Sequence, residues 1–122
     1  MEKEAEILVP KVTSPIRVMF MFESTGWFDT TKEYKEEVII PELKEIIKEW
    51  EKNGAKLIGT IDADVLAAGR TGQLGWHACF LYDVPDLSTI TAMTHAFRAR
   101  ELDRYFRIEA VIGRPFVLLE EK

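Results

Sequence analysis

The order in which strand-like and helix-like patterns follow one another leaves this chain few folds to choose from. Ile16 to Glu23 alternates β-branched, aromatic and sulfur-bearing residues over the length of one strand and is closed by Ser24-Thr25-Gly26. A helical stripe follows at Ile39, Leu43, Ile46, Ile47 and Trp50. Thr30 and Glu33 ahead of it have the spacing of a capping box, and Asn53-Gly54 supplies its stop. Pro41 lies inside this pattern, where it removes one hydrogen bond and clashes with the carbonyl four residues back, so a kink or restart is predicted there. Lys56 to Leu66 reads as a second strand. Gly69, Gly72 and Gly75 mark a turn, and Trp76 to Val84 reads as the third strand of a hairpin. Asp86 is placed to cap a second helix with a stripe at Leu87, Ile90, Thr94 and Phe97, ending near Arg100. Tyr105 to Ile112 is the fourth strand, and the apolar tail Phe116 to Leu119 is expected to add an edge strand.

The resulting β-α-β-β-α-β order, closed by right-handed crossovers, places both helices on one face of a four-stranded antiparallel sheet. This is an α+β, ferredoxin-like architecture. The polar segment 1–14, bracketed by Pro10 and Pro15, reads as an N-terminal arm, and 15–122 as a single domain. A chain of 122 residues divided in two would leave halves too small for adequate cores, whereas 47% hydrophobic residues suffice for one.

The second face of that sheet sets the functional expectation. By alternation, Ile16, Val18, Phe20 and Phe22 share one side of the first strand, and Arg17, Met19, Met21 and Glu23 the other. In the fourth strand Phe106, Ile108, Ala110 and Ile112 oppose Tyr105, Arg107, Glu109 and Val111. A solvated face has little use for Met19, Met21 and Val111, and a dry core has none for Arg107 and Glu109. The mixture predicts that two copies pair sheet to sheet as a homodimer and enclose a half-polar pocket.

Within that pocket His77 and Glu109 are the candidate catalytic pair. Histidine suits proton transfer near neutral pH, and a mid-strand carboxylate is costly unless it is paired or used. Both also have structural readings, His77 as a hydrogen-bonded strand residue and Glu109 as the partner of Arg107 or Arg17. Arg107 and Arg70 are candidate grips for a substrate carboxylate, with Glu23 and Met21 lining the same face. Trp27 and Phe28, in the loop after the first strand, either fold back as local core or cover a flat aromatic ligand.

Other classes are disfavoured. A net charge of -5 supplies no basic footprint for nucleic acid. No apolar run is long enough to span a bilayer, and the start is acidic, so a cytoplasmic location is expected. Cys79 is the only cysteine and His77 and His95 are the only histidines, with no spacing that supports a metal site. No nucleophile elbow or dinucleotide fingerprint occurs.

Tyr82-Asp83-Val84-Pro85, the capped helix after it and Tyr105-Phe106-Arg107-Ile108-Glu109 resemble the second half of muconolactone-isomerase-like members of the dimeric α+β barrel superfamily. They also resemble small barrel proteins of bacterial indole-acetate catabolism. The resemblance covers Trp76 to Gly113 at motif level and the rest through element order. It implies a pocket inside each barrel and matches Glu109 to the glutamate of the fourth-strand motif, whereas His77 has no counterpart in the isomerase pattern. The expected function is therefore cofactor-independent proton transfer, such as isomerisation, cyclisation or elimination, on a small aromatic or unsaturated carboxylic acid. A non-catalytic ligand-binding protein and a haem-binding, monooxygenase-like barrel are the alternatives.

Overall fold

The computed structural model describes residues 15–65, 68 and 78–120. The expected N-terminal arm, the glycine-punctuated turn and the expected start of the third strand at Trp76 and His77 lie outside the described residues.

Four strands, β1 (Ile16–Glu23), β2 (Lys56–Asp62), β3 (Ala78–Val84) and β4 (Arg107–Gly113), form an antiparallel sheet in the order β2-β3-β1-β4. This is the ferredoxin-like arrangement, with β1 and β3 central and β2 and β4 at the edges. Between β1 and β2 the chain forms a 3-10 turn (Trp27–Asp29), one turn of α1 (Lys32–Tyr34), a π-helical segment (Lys35–Ile39) and α2 (Ile40–Lys52). Helix α3 (Leu87–Ala99) joins β3 to β4, and α4 (Val117–Glu120) follows β4.

The π segment is where Pro41 makes itself felt. The Ile40 amide bonds back five residues to the Lys35 carbonyl, and the extra residue in that turn places Pro41 in the first turn of α2. A helix spends no N–H at that position, so proline is tolerated. The cap lies one residue later than expected: the Thr31 hydroxyl accepts from the Tyr34 amide at 3.0 Å, while Thr30 Oγ1 donates to the Trp27 carbonyl at 2.7 Å. Either threonine can serve as cap, and the 3-10 turn engages Thr30 first. At the far end Gly54 adopts φ +105°, the left-handed geometry that ends a helix after Asn53. Asp86 caps α3 as expected, accepting from the Thr89 amide at 2.9 Å.

The core lies between the central strands and the two long helices. Ile16, Val18, Phe20 and Phe22 are buried on β1 and Tyr82 and Val84 on β3, against Ile39, Ile46 and Trp50. The buried stripe of α3 is Ile90, Met93, Ala96 and Phe97, so the helix is rotated from expectation: Leu87 is exposed and Met93, not Thr94, points inward. The apolar side of β4 was expected to be core, but Ala110 and Ile112 stay exposed, because the helices cover β1 and β3 and leave the edge strands bare. The tail is not an edge strand. After Pro115 the Leu119 amide bonds the Phe116 carbonyl at 2.9 Å and the chain closes into α4, leaving Phe116, Leu118 and Leu119 exposed. The Leu-Leu-Glu sequence favours that local turn over extension.

Tyr82 is buried between Phe20 and Trp50, and its hydroxyl finds no hydrogen-bond partner among the described residues. Burial, followed by the charge of Glu51, pushes its pKa up to about 12. An unfolded tyrosine titrates near 10. The folded state therefore keeps a proton that the unfolded state loses above about pH 10, so this contribution is complete below pH 10 and drains away as pH climbs towards 12. Tyr82→Phe removes an unpaired buried hydroxyl and is expected to raise stability at pH 7 by about 1 kcal/mol. It should also flatten the loss between pH 9 and pH 12, as read from urea unfolding at both ends. A loss of stability at pH 7 would show that the hydroxyl is bonded after all.

Candidate functional site

The sequence-derived site residues fall in two places on opposite sides of the sheet. On the face away from the helices, register pairs Met21 with Cys79 and Glu109, Met19 with Leu81 and Val111, and Glu23 with Arg107. The Arg107 guanidinium gathers both carboxylates. Its Nε donates to Glu109 Oε2 at 2.9 Å, its Nη2 donates to the same oxygen, and its Nη1 donates to Glu23 Oε1 at 3.2 Å. The Glu109 hydrogen bonds, first among the causes, raise the Arg107 pKa further and keep it cationic. One strand along, Arg17 grips Asp83 with two prongs, at 2.6 and 3.0 Å. In the single chain Glu109 is half-exposed and held by a cation, an arrangement that sets it up as an ion-pair partner rather than a desolvated base. Cys79 is buried on this face, and burial pushes its thiol pKa up, away from a nucleophilic thiolate.

His77 and Arg70 lie outside the described residues. His95, on α3, is exposed. Among the described residues no group of three or more His, Cys, Asp or Glu side chains is arranged to hold a metal ion.

The second place is a cavity of about 540 Å³ on the helix side of the sheet, at the end where β1 leaves it. Trp27 and Phe28 line it, together with Phe80 and Phe106, and Ser24, Thr60, Asp62 and Asp64 supply its polar lining. Local structure fixes each wall. Trp27 sits in the 3-10 turn with its ring 5.7 Å from that of Phe106, and Lys35 Nζ stands 5.2 Å from the indole centroid. The loop is tied to the approach of β4 by the Gly26 amide, which donates to the Tyr105 carbonyl at 3.0 Å. Across the sheet Thr60 pairs with Phe80 and Asp62 with Ala78, on the same face as Phe20 and Phe22. Tyr34 and Tyr105 close the outside of the loop with a 2.6 Å hydroxyl contact that raises the Tyr34 pKa.

Trp27 and Phe28 thus separate into two roles: Trp27 folds back onto Phe106, and Phe28 remains 70% exposed at the cavity. Sequence reasoning did not assemble Thr60, Asp62, Asp64, Phe80 and Phe106 into a site. A signal was present in β2, where Thr60 and Asp62 are polar residues at positions whose alternation points them toward the helices.

No family model matches the sequence, and no curated protein matches it. Solved structures do. A mutant chlorite dismutase from Candidatus Nitrospira defluvii in complex with cyanide superposes with a TM-score of 0.63 at 17% identity, covering 93% of this chain and 44% of that one. A protein of unknown function from Rhodopseudomonas palustris superposes with a TM-score of 0.59 at 14% identity, covering 94% of this chain and 92% of that one. The chain therefore spans less than half the length of the dismutase. At these identities the likeness shows the α+β, ferredoxin-like fold alone. Among the described residues no helix is long and apolar enough to cross a membrane.

Proposed function

We propose that this chain is a small-molecule-binding α+β barrel protein that takes a flat, largely apolar ligand into the cavity beside Trp27, Phe28, Phe80 and Phe106. The observation that carries the reading is the pairing of aromatic walls with a polar edge of carboxylates, at a volume suited to a small molecule. Stacking on aromatic faces favours a planar ring system. Asp62 and Asp64 are the titratable groups among the described residues lining the cavity, so the polar end of the ligand is one that donates hydrogen bonds or carries positive charge. An anionic group would meet like charge there.

Proton transfer without a cofactor is the reaction class that fits these groups, with Asp62 or Asp64 as the base that takes a proton from a carbon next to a carbonyl, the electron pair moving onto the carbonyl oxygen and the Ser24 or Thr60 hydroxyl as the donor to that oxygen. The test uses 1-naphthylmethylamine as the binding probe and 2-tetralone in D2O as the proton-transfer probe. Saturable calorimetric binding of the amine, weakened in Asp62→Asn and Asp64→Asn, is the expected result. Deuterium incorporation next to the tetralone carbonyl, slowed in the same variants, marks an enzyme. Binding with no exchange above buffer would make the chain a non-catalytic ligand-binding protein, and absence of both would remove the site.

Haem is the group the fold family also implies. The apolar walls suit the faces of a macrocycle, but among the described lining residues there is no imidazole, thiolate, thioether or phenol to ligate iron, and His95 lies exposed on α3. The described cavity does not fit it. A Soret band on haemin titration that vanishes in His77→Ala would overturn that conclusion.

The bare sheet face supports self-association. Ile61 and Val111 are 60% and 55% exposed, and Met19, Met21 and Leu81 only partly covered. A second sheet laid on this face would bury them. Met19→Arg, placed between Leu81 and Val111, puts a bulky, hydrated charge in the middle of the apolar part of this face. It is expected to raise the dimer dissociation constant at least about 100-fold, read by light scattering across a concentration series. A wild-type chain that is monomeric at 100 micromolar, roughly −5.5 kcal/mol, would refute the pairing.

A further inference from the structure

Beside the larger cavity lies a second opening that the proposed ligand site does not yet account for. It is a cleft of about 150 Å³ between α2 and the sheet, walled by Leu43, Ile47 and Trp50 on the helix and by Phe22, Phe80 and Phe97. It exposes no polar surface, and Lys44 at its edge contributes only its carbon stem. An apolar recess of this volume, lined by Leu, Ile and Phe, has room for a benzene-sized group. Water gains nothing there, and apolar matter gains contact with most of the cleft wall.

Two walls decide what the occupant is. Leu43 and Phe80 line both this cleft and the 540 Å³ cavity, so the two openings adjoin across these side chains on the same side of the sheet. Among the described lining residues Ser24, Thr60, Asp62 and Asp64 belong to the larger cavity, whereas the cleft is lined by apolar side chains apart from Lys44. We propose that the ligand of this protein is amphipathic, a flat aromatic body whose hydrogen-bond-donating or cationic end faces Asp62 and Asp64 and whose apolar appendage, a short alkyl chain or a single ring, fills the cleft between α2 and Phe80. The inference rests on the larger cavity being the ligand site and names the class of molecule that site selects.

A homologous series of 4-n-alkylbenzylamines, from methyl to hexyl, titrated by calorimetry into the full-length chain, tests it. Each methylene that leaves water for the cleft should tighten binding about 3- to 4-fold, until the cleft is full and the gain stops. Ile47 lines the cleft and not the larger cavity. Ile47→Trp fills the cleft and should abolish the chain-length gain while the methyl member binds as before; Ile47→Ala enlarges it and should carry the gain to longer chains. Should Ile47→Trp fail to fold, the alanine variant alone decides. Equal affinity along the wild-type series, or a gain that neither variant alters, overturns the appendage while leaving the ligand site standing. If neither the amines nor the corresponding 4-n-alkylbenzoates bind, the site itself is refuted and the inference falls with it. If 4-n-alkylbenzoates bind and the amines do not, the polar end has been assigned the wrong charge and the proposal is overturned on that count.

Discussion

Replacing Gly26 with alanine is expected to cost at least tenfold in affinity for an aromatic amine probe, together with a loss of stability of about 1–3 kcal/mol. Gly26 has φ −126°, a conformation open to any residue, so the requirement is for space and not for a special backbone. A Cβ there would lie far inside contact distance of the Arg104 carbonyl oxygen and 3.3 Å from Tyr105 Cα. Both are backbone atoms and cannot swing aside. The loop would have to lift from the segment leading into β4 and surrender the hydrogen bond from the Gly26 amide to the Tyr105 carbonyl. Ser24, Trp27 and Phe28 travel with that loop and Phe106 with the opposite segment, so the cavity loses its shape along one whole wall. Thermal unfolding and probe titration on the same variant separate the two effects. A stable Gly26→Ala variant that binds the probe at full affinity would place the ligand elsewhere.

How much of this was legible in the sequence depends on how local each signal is. The strand alternation of β1, the Asp86 cap, the Asn53-Gly54 stop and the disturbance at Pro41 are set by neighbours within a few residues, and the structure follows them. The choice between Thr30 and Thr31 as cap turned on a 3-10 turn that leaves no pattern of its own. The tail was read as a strand because its residues are apolar, whereas Pro115 and the helix-favouring leucines let it close on itself.

The site divides along the same line. Alternation correctly placed Arg107, Glu109, Glu23 and Met21 on one face, and the structure brings the three charged groups together as ion pairs. Phe106 shares the apolar parity of the fourth strand, and Phe80 faces Thr60 and Phe20 on the helix side of the sheet. They are only partly buried, packed against the core on one side and facing the cavity beside the β1 loop on the other. Helix coverage is a tertiary property, and no periodicity in the sequence reports where it ends. The cavity therefore arises from residues whose pattern looks structural, and the polar face that looked functional is occupied, in the single chain, by its own salt bridges.

Trp50→Ala is expected to destabilise the domain by about 3–5 kcal/mol, the largest effect of any single truncation among the described residues. The Trp50 ring is fully buried, stacked 5.1 Å from Phe20 and set edge-on to Tyr82 at 5.6 Å, and its Nε1 donates to the Met93 carbonyl at 3.0 Å. It thereby joins the sheet, α2 and α3 in one contact, so its loss leaves a void that no single neighbour can fill. Trp50 also forms part of the apolar cleft, and truncation would merge that void with the existing 150 Å³. A merged apolar cavity is a binding site for small aromatics. Indole at 100 times its dissociation constant for the variant should return about 2.7 kcal/mol to it, a larger rise in melting temperature than the same indole concentration gives the wild type, as read by scanning calorimetry with and without indole. A loss below about 1 kcal/mol, well short of what truncating a buried aromatic normally costs, would mean that the helices pack on the sheet without relying on this ring, and the cleft beside it would lose its fixed wall.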